Sequence, residues 1–127
     1  MDDIRRIATN TLMRTVGKKG FEEKCVLWHG LKLIVKPFLT FNEYMNTIND
    51  IISDCCGDDG ATRMALLEIA IRTRIISSYS LVRLPTNIDE LTYVLLYSDL
   101  YQTVVENVCK TQVETIINAA KNLLNAK

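Results

Sequence analysis

The stretch RMALLEIAIRTRIISSYS, residues 63–80, decides how the rest of the chain is read. Apolar side chains surround most of its helical wheel: Met64, Ala65, Leu66, Leu67, Ile69, Ala70, Ile71, Ile75, Ile76 and Tyr79. Only Arg63, Glu68, Arg72 and Arg74 are charged. A helix apolar on nearly every side is a buried one, covered by neighbours from several directions. A helix of about 18 residues reaches about 27 Å, the width of a small domain. The spacing therefore predicts a central helix over 61–82 with the other elements packed around it.

Upstream, residues 23–36 predict a β-hairpin. His29-Gly30 is placed as a two-residue turn with positive φ between two apolar runs. That register sets Trp28 opposite Leu31, Val26 opposite Leu33 and Lys24 opposite Val35 on one face. The other face has Leu27 opposite Lys32 and Cys25 opposite Ile34, with Glu23 and Lys36 as a cross-strand charge pair. A lone hairpin is marginal in water, so it must lie on helices or be extended by further strands. Its second face keeps Leu27 and Ile34, apolar for a face in solvent. Either the first helix folds back over it through Ile4, Ile7 and Leu12, or another chain covers it.

Residues 2–16 predict that first helix, with a modest stripe of Ile4, Ile7, Ala8, Leu12 and Val16, ended by Gly17-Lys18-Lys19-Gly20. Residues 1–20 read as the least attached part of a single domain spanning 1–127, with an N-terminal arm as the other reading. After Pro37, Thr40 and Glu43 form a capping box with Leu39 and Tyr44 as its staple, predicting a helix over 40–55. Asp59 is a candidate cap for the central helix. Asn87 with Glu90 starts a helix over 87–109, which Ser98-Asp99 interrupts in an alternative reading. Thr111 with Glu114 starts a last helix over 111–125, with Val113, Ile116, Ile117, Ala120, Leu123 and Leu124 as its stripe. The fold class is mostly α with one β-hairpin (α+β): an N-terminal helix, the hairpin, then a four-helix bundle-like core.

The 127 residues carry no net charge, so no overall field favours nucleic acid or an anionic membrane. The charge is nonetheless laid out in blocks. Residues 37–62 hold five acids and no base, 63–84 four Arg against one Glu, and 85–109 four acids and no base. The blocks either neutralise one another inside the domain or form complementary patches between subunits, where they set register more than affinity. Cys25, Cys55, Cys56 and Cys109 form no CxxC, and His29 is the sole histidine, so neither a zinc nor a redox motif is present. All four thiols are expected to be free. No signal peptide is expected, and no stretch approaches the ~18 uninterrupted apolar residues of a membrane span.

The remaining chemistry-bearing residues have structural explanations. His29 is a turn histidine without a nucleophile or orienting partner in sequence. Asp54, Asp58 and Asp59 lack the spacing of a calcium loop and suit helix ends. Arg72, Arg74 and Arg83 suit ion pairs with the flanking acidic helices, and glycine-rich phosphate loops are missing. Tyr93, Tyr97 and Tyr101 recur every fourth residue. On a continuous helix they make one aromatic stripe, either packed inward or serving as a protein interface.

The order of a short hairpin (VLWHGLKLIVKPFLTF), a capped helix (TFNEYMNTINDIISDC), an apolar helix (MALLEIAIRTRIISSYSLVRLP) and a tyrosine-rich helix (NIDELTYVLLYSDLYQTVVENV) resembles small morphogenesis and virion proteins of tailed bacteriophages. The likeness covers about residues 24–108 and lies in layout. It implies a non-enzymatic structural subunit: a head–tail connector, neck-ring or capsid accessory protein made in the host cytoplasm and kept in the virion. A transient tail-assembly chaperone and a small regulatory binding module are the alternatives. The expected partners are other copies of the chain and other virion proteins, with no cofactor, small-molecule substrate, sequence-specific nucleic acid or membrane. The expected interface residues are Leu27, Ile34, Tyr93, Tyr97 and Tyr101.

Overall fold

The computed structural model describes residues 6–55 and 60–125. Among them the order is α1 (Thr9–Val16), a 3-10 turn (Lys19–Phe21), β1 (Lys24–Trp28), β2 (Leu31–Val35), α2 (Phe41–Asp54), α3 (Gly60–Tyr79), α4 (Ile88–Tyr97), α5 (Leu100–Glu106) and α6 (Lys110–Asn125). The chain is mostly helical with one antiparallel hairpin, the expected α+β class. Ile4, Cys56, Asp58 and Asp59, and with Asp59 the proposed cap of the central helix, lie outside the described residues.

The hairpin has the register that its alternation dictates, from Lys24↔Val35 to Trp28↔Leu31. His29 and Gly30 take φ of 49° and 77°, the pair of positive values that matches a two-residue turn to the twist of its strands. Leu33 and Val35 enter the core, and Val26 and Trp28 are half-buried against it. The end of α3 then pairs with the outer edge of β2. The Lys36 amide donates to the Tyr79 carbonyl at 2.7 Å, and the Leu81 amide to the Ile34 carbonyl at 3.1 Å. The proposed Glu23–Lys36 pair is not made. Both residues lie beyond the ladder, and the Lys36 ammonium instead pairs with Glu43 on α2.

The bundle is a closed ring. α2 packs on α3, α3 on α5, α5 on α6, and α6 on α2, while α4 lies outside against α3 and α5. The core is formed by Ile48, Ile51, Ile71, Ile75, Ile76, Tyr79, Val104 and Ile116, with Leu95 reaching in from α4. The central helix is buried only along its second half. Met64 is exposed and Leu67 half-buried, because α3, with 20 residues, outruns α2 with 14 and α5 with 7. Thr40 and Glu43 form the capping box in full, and Leu39 beside it is completely buried. A hydroxyl rung joins α2 to α3: the Thr47 hydroxyl donates to the Glu43 carbonyl and meets the Ser78 hydroxyl at 2.7 Å.

Three helix starts differ from the sequence reading. The first helix, expected from residue 2, begins at Thr9, with Ala8 extended before it. α6 begins at Lys110, so Thr111 is already helical and its hydroxyl is not the cap. The helix expected over 87–109 breaks at Ser98, whose backbone is extended at φ −85°, ψ 166°. The Ser98 hydroxyl donates to the Val94 carbonyl and accepts from the Leu100 amide, so one side chain serves both sides of the break. Only α5 then joins the ring, and α4 is displaced to the periphery.

Among the described residues Gln112 is one of three buried polar residues, with Thr47 and Ser80. Its Oε1 accepts from the Leu39 amide at 2.8 Å and from the Tyr79 hydroxyl at 2.7 Å, and its Nε2 donates to the Leu39 carbonyl at 3.1 Å. Gln112→Ala strands three polar groups, each costing about 1–3 kcal/mol when left unpaired in the interior. Tyr79→Phe leaves both Leu39 bonds in place. Urea denaturation is expected to show the Gln112 variant losing clearly more stability than the Tyr79 variant. Ile75→Ala should cost about 2–5 kcal/mol, as for other large-to-small changes in a packed core, and Leu67→Ala distinctly less. Equal midpoints for Ile75→Ala and Leu67→Ala would contradict the one-sided burial of α3.

Candidate protein interface

Within an antiparallel hairpin, the backbone groups of alternate residues point away from the partner strand. On β2 these belong to Lys32 and Ile34, since Ile34 and the following Lys36 reach outward to Leu81 and Tyr79. On β1 they belong to Cys25 and Leu27, the partners of Ile34 and Lys32. Among the described residues, no backbone bond reaches the outer edge of β1. Leu27, which projects from the solvent face of that strand, is 70% exposed.

The two sequence-predicted hairpin residues have different surroundings. Leu27 stands in solvent, whereas Ile34 is half-buried. Ile34 helps to line a groove of about 460 Å³ with Trp28, Leu31, Leu81, Val82 and Leu100. Beyond Leu81 the chain leaves the edge of β2, and the groove opens there. Folding back of the first helix over Leu27 is not observed. α1 buries none of its residues, with Ile7, Leu12 and Val16 exposed. After it, Phe21 of the 3-10 turn meets the Phe38 ring edge-on at 5.4 Å, and Met13 and Val16 line a cleft with Pro37 and Phe38.

The tyrosines separate at the Ser98 break. Tyr93 and Tyr97 stack at 4.8 Å, 62% and 78% exposed, with Leu96 exposed beside them. Tyr101 begins a different helix and is half-buried under the Arg72 guanidinium, 4.9 Å from its ring centre. The expected three-residue stripe is therefore a pair, with Tyr101 part of the packing of α5. Burial pushes the Tyr101 hydroxyl up, and Arg72 draws it partly back. Arg72 also donates to Glu68 at 2.8 Å and to the Leu95 carbonyl at 2.9 Å, filling one of the acceptors that the end of α4 leaves open.

The hairpin tip is held at the same break. The indole N–H of Trp28 donates to Asp99 Oδ1 at 2.7 Å, and His29 Nε2 lies 3.2 Å from the same oxygen. Asp99 stands at the N-cap position of α5, but its side chain makes no capping bond there; the hairpin takes it. These bonds, the indole first and the histidine second, hold the Asp99 carboxyl below its ordinary value of 3.8.

Arg74 of the basic block forks onto Asp54 of the acidic one, Nε at 2.7 Å and Nη2 at 3.0 Å, with Asp50 at 3.7 Å. Cys25 and Cys109 are free thiols, the first exposed and the second half-buried. Among the described residues, no group of three His, Cys, Asp or Glu side chains converges, and no helix is long and apolar enough to cross a membrane.

Comparison with known proteins yields no match: no family model, no curated sequence and no solved structure is similar to this chain. Fold and surface define its class in structural terms, as a helical ring carrying one hairpin with an open edge.

Trp28 is the sole tryptophan, so its emission reports the tip contact. A carboxylate whose pKa is lowered in the folded protein supports that contact above its ordinary pKa, and the support is lost as pH falls through the lowered one. In a His29→Gln background, where Asp99 is the titrating group at the tip, emission of the folded protein should hold steady down to about pH 4 and shift only below it. Asp99→Asn in the same background should show much of the shift at neutral pH. Identical titrations for the two proteins would contradict the role of this contact.

Proposed function

We propose that the chain is a non-enzymatic subunit of a protein assembly, acting through complementary surfaces, and that the assembly is a bacteriophage particle. The observation that carries the first part is the open edge of β1 beside the exposed Leu27. Unpaired strand edges recruit further strands, and contiguous apolar surface marks contact sites. The stacked Tyr93–Tyr97 pair with Leu96 offers a second surface, on the helix displaced from the bundle. Tyrosines that present rings and hydroxyls together suit protein contacts. Two separate surfaces allow a subunit to meet two neighbours, as a ring, neck or shell component does. Arg74 of the basic block is spent on Asp54 and Asp50 of the first acidic block inside the domain.

The phage part rests on the resemblance in sequence layout to small connector, neck and capsid-associated proteins. On this reading the protein resides in the virion, with other copies of itself and other virion proteins as partners. In this reading Leu27, Tyr93 and Tyr97 are interface residues, Ile34 lines the adjoining groove, and Tyr101 supports the surface from beneath.

Sedimentation of the full chain tests the assembly reading. The wild type is expected to associate with rising concentration, and Leu27→Ser with Tyr97→Ser to remain monomeric with an unchanged helical signal and melting transition. A monomeric wild type at every concentration would contradict self-assembly. A mass-spectrometric inventory of purified particles tests the second part: presence in stoichiometric amounts supports a virion subunit, and absence from the particle contradicts it.

A further inference from the structure

We infer that the outer edge of β1 pairs antiparallel with the same edge of a second copy of this chain, about a twofold axis at Val26. The inference rests on the assembly reading and names its contact. The edge can hydrogen-bond only through the outward groups of Cys25 and Leu27, which sit opposite Ile34 and Lys32 in the hairpin. A symmetric antiparallel contact must therefore bring these residues against their counterparts.

Charge and conformation select among the symmetric registers. With Lys24 on the axis, two ammonium groups face each other, which is destabilising across a strand pair. With Cys25 on the axis, Glu23 falls opposite Leu27 and Glu22 opposite Trp28, setting acids against apolar side chains. With Leu27 on the axis, Cys25 meets His29, whose φ of 49° takes it out of the strand. Val26 on the axis pairs the outward groups of Cys25 with those of Leu27 in the second copy and sets no acid against an apolar side chain. In that register Leu27 covers Cys25 on the solvent face, Val26 meets Val26, and the Lys24 ammonium comes opposite the Trp28 ring, an attractive cation–aromatic pairing. The edge is thus complementary to itself in side-chain size, charge and backbone, which argues for a second copy as its occupant. The product is a four-stranded sheet, β2-β1-β1-β2, with the two helical bodies on one side and Leu27 and Cys25 of both copies at the centre of the other.

Pairing over so short an edge is weak, so the test traps it covalently in the full chain. Leu27→Cys places a thiol opposite Cys25 of the second copy. A hydrogen-bonded pair has a Cα separation of about 5.5 Å, within the about 4.4–6.8 Å that a disulfide spans. Under mild oxidation this variant should form a covalent dimer joining residue 25 of one chain to residue 27 of the other. Adding Cys25→Ser should abolish that bridge. In the wild type the two Cys25 residues lie diagonally, about 7–8 Å apart, so no 25–25 bridge is expected; finding one would overturn the register. The second variant is Cys25→Pro, which deletes an outward N–H while leaving every hairpin bond in place, as edge positions allow. It should lose the wild type's concentration-dependent association. If association survives Cys25→Pro and no 25–27 bridge forms in Leu27→Cys, the β1 pairing is wrong while the assembly reading stands on another surface. If the wild type stays monomeric and no bridge forms, both fall.

Discussion

The fold turns on a single buried amide. Gln112 of α6 takes both backbone groups of Leu39 and the hydroxyl of Tyr79. Leu39 lies on the connection from hairpin to α2, and Tyr79 is the last residue of α3. Three parts of the chain far apart in sequence meet at one side chain. Leu39 is irregular backbone in the interior, where an unpaired amide or carbonyl is costly. A helix cannot answer both groups of such a residue with its own backbone, but a carboxamide can, since it carries a donor and an acceptor side by side. The same node fixes where α3 stops, and from that end Tyr79 and Leu81 reach the edge of β2. Burial pushes the Tyr79 hydroxyl well above its ordinary range, so it remains a donor to Gln112 at any ordinary pH.

What was legible in the sequence was local. His29-Gly30 between alternating runs specified both turn and register, because the turn type and the period of two agree. Thr40 and Glu43 specified the start of α2 through bonds only three residues apart. Two of the misses involve a long-range claim on a residue with a good local use. Asp99 has capping-box spacing with Gln102, yet Trp28 and His29, some seventy positions away, take its carboxylate. Gln112 drew no reading from the sequence, where the stripe of the last helix starts at Val113. Its position one turn before Ile116 and two before Ala120 sets it on the buried face of α6, and that spacing was the signal available.

The candidate surface was half legible. Leu27 could be found because it broke the alternation of apolar and polar faces, and it stands in solvent. The tyrosine spacing suggested one stripe because periodicity assumes an unbroken helix. Ser98 ends α4 by serving the Val94 carbonyl and the Leu100 amide at once. The rotation between α4 and α5 then sends Tyr101 beneath Arg72 while Tyr93 and Tyr97 stay outside. The blocks of charge admitted two readings from sequence alone. Arg74 forked onto Asp54 favours neutralisation within the chain, which leaves register between subunits to be set by other groups.

Those groups belong to a hairpin that is unusually well held for a two-stranded sheet. Its exit is fixed by Leu39 on Gln112, its second strand by the end of α3, and its tip by Trp28 on Asp99. Each restraint acts on the core face, on β2 or on the turn; none occupies the outer backbone of β1. An edge already ordered loses little further freedom when another strand joins it, and contacts made from a pre-ordered surface keep more of their interaction energy as affinity. α1 shows the contrast: eight residues with no buried side chain, joined through glycines. Of the apolar surfaces that this chain leaves uncovered, the hairpin edge is therefore the one on which association costs least.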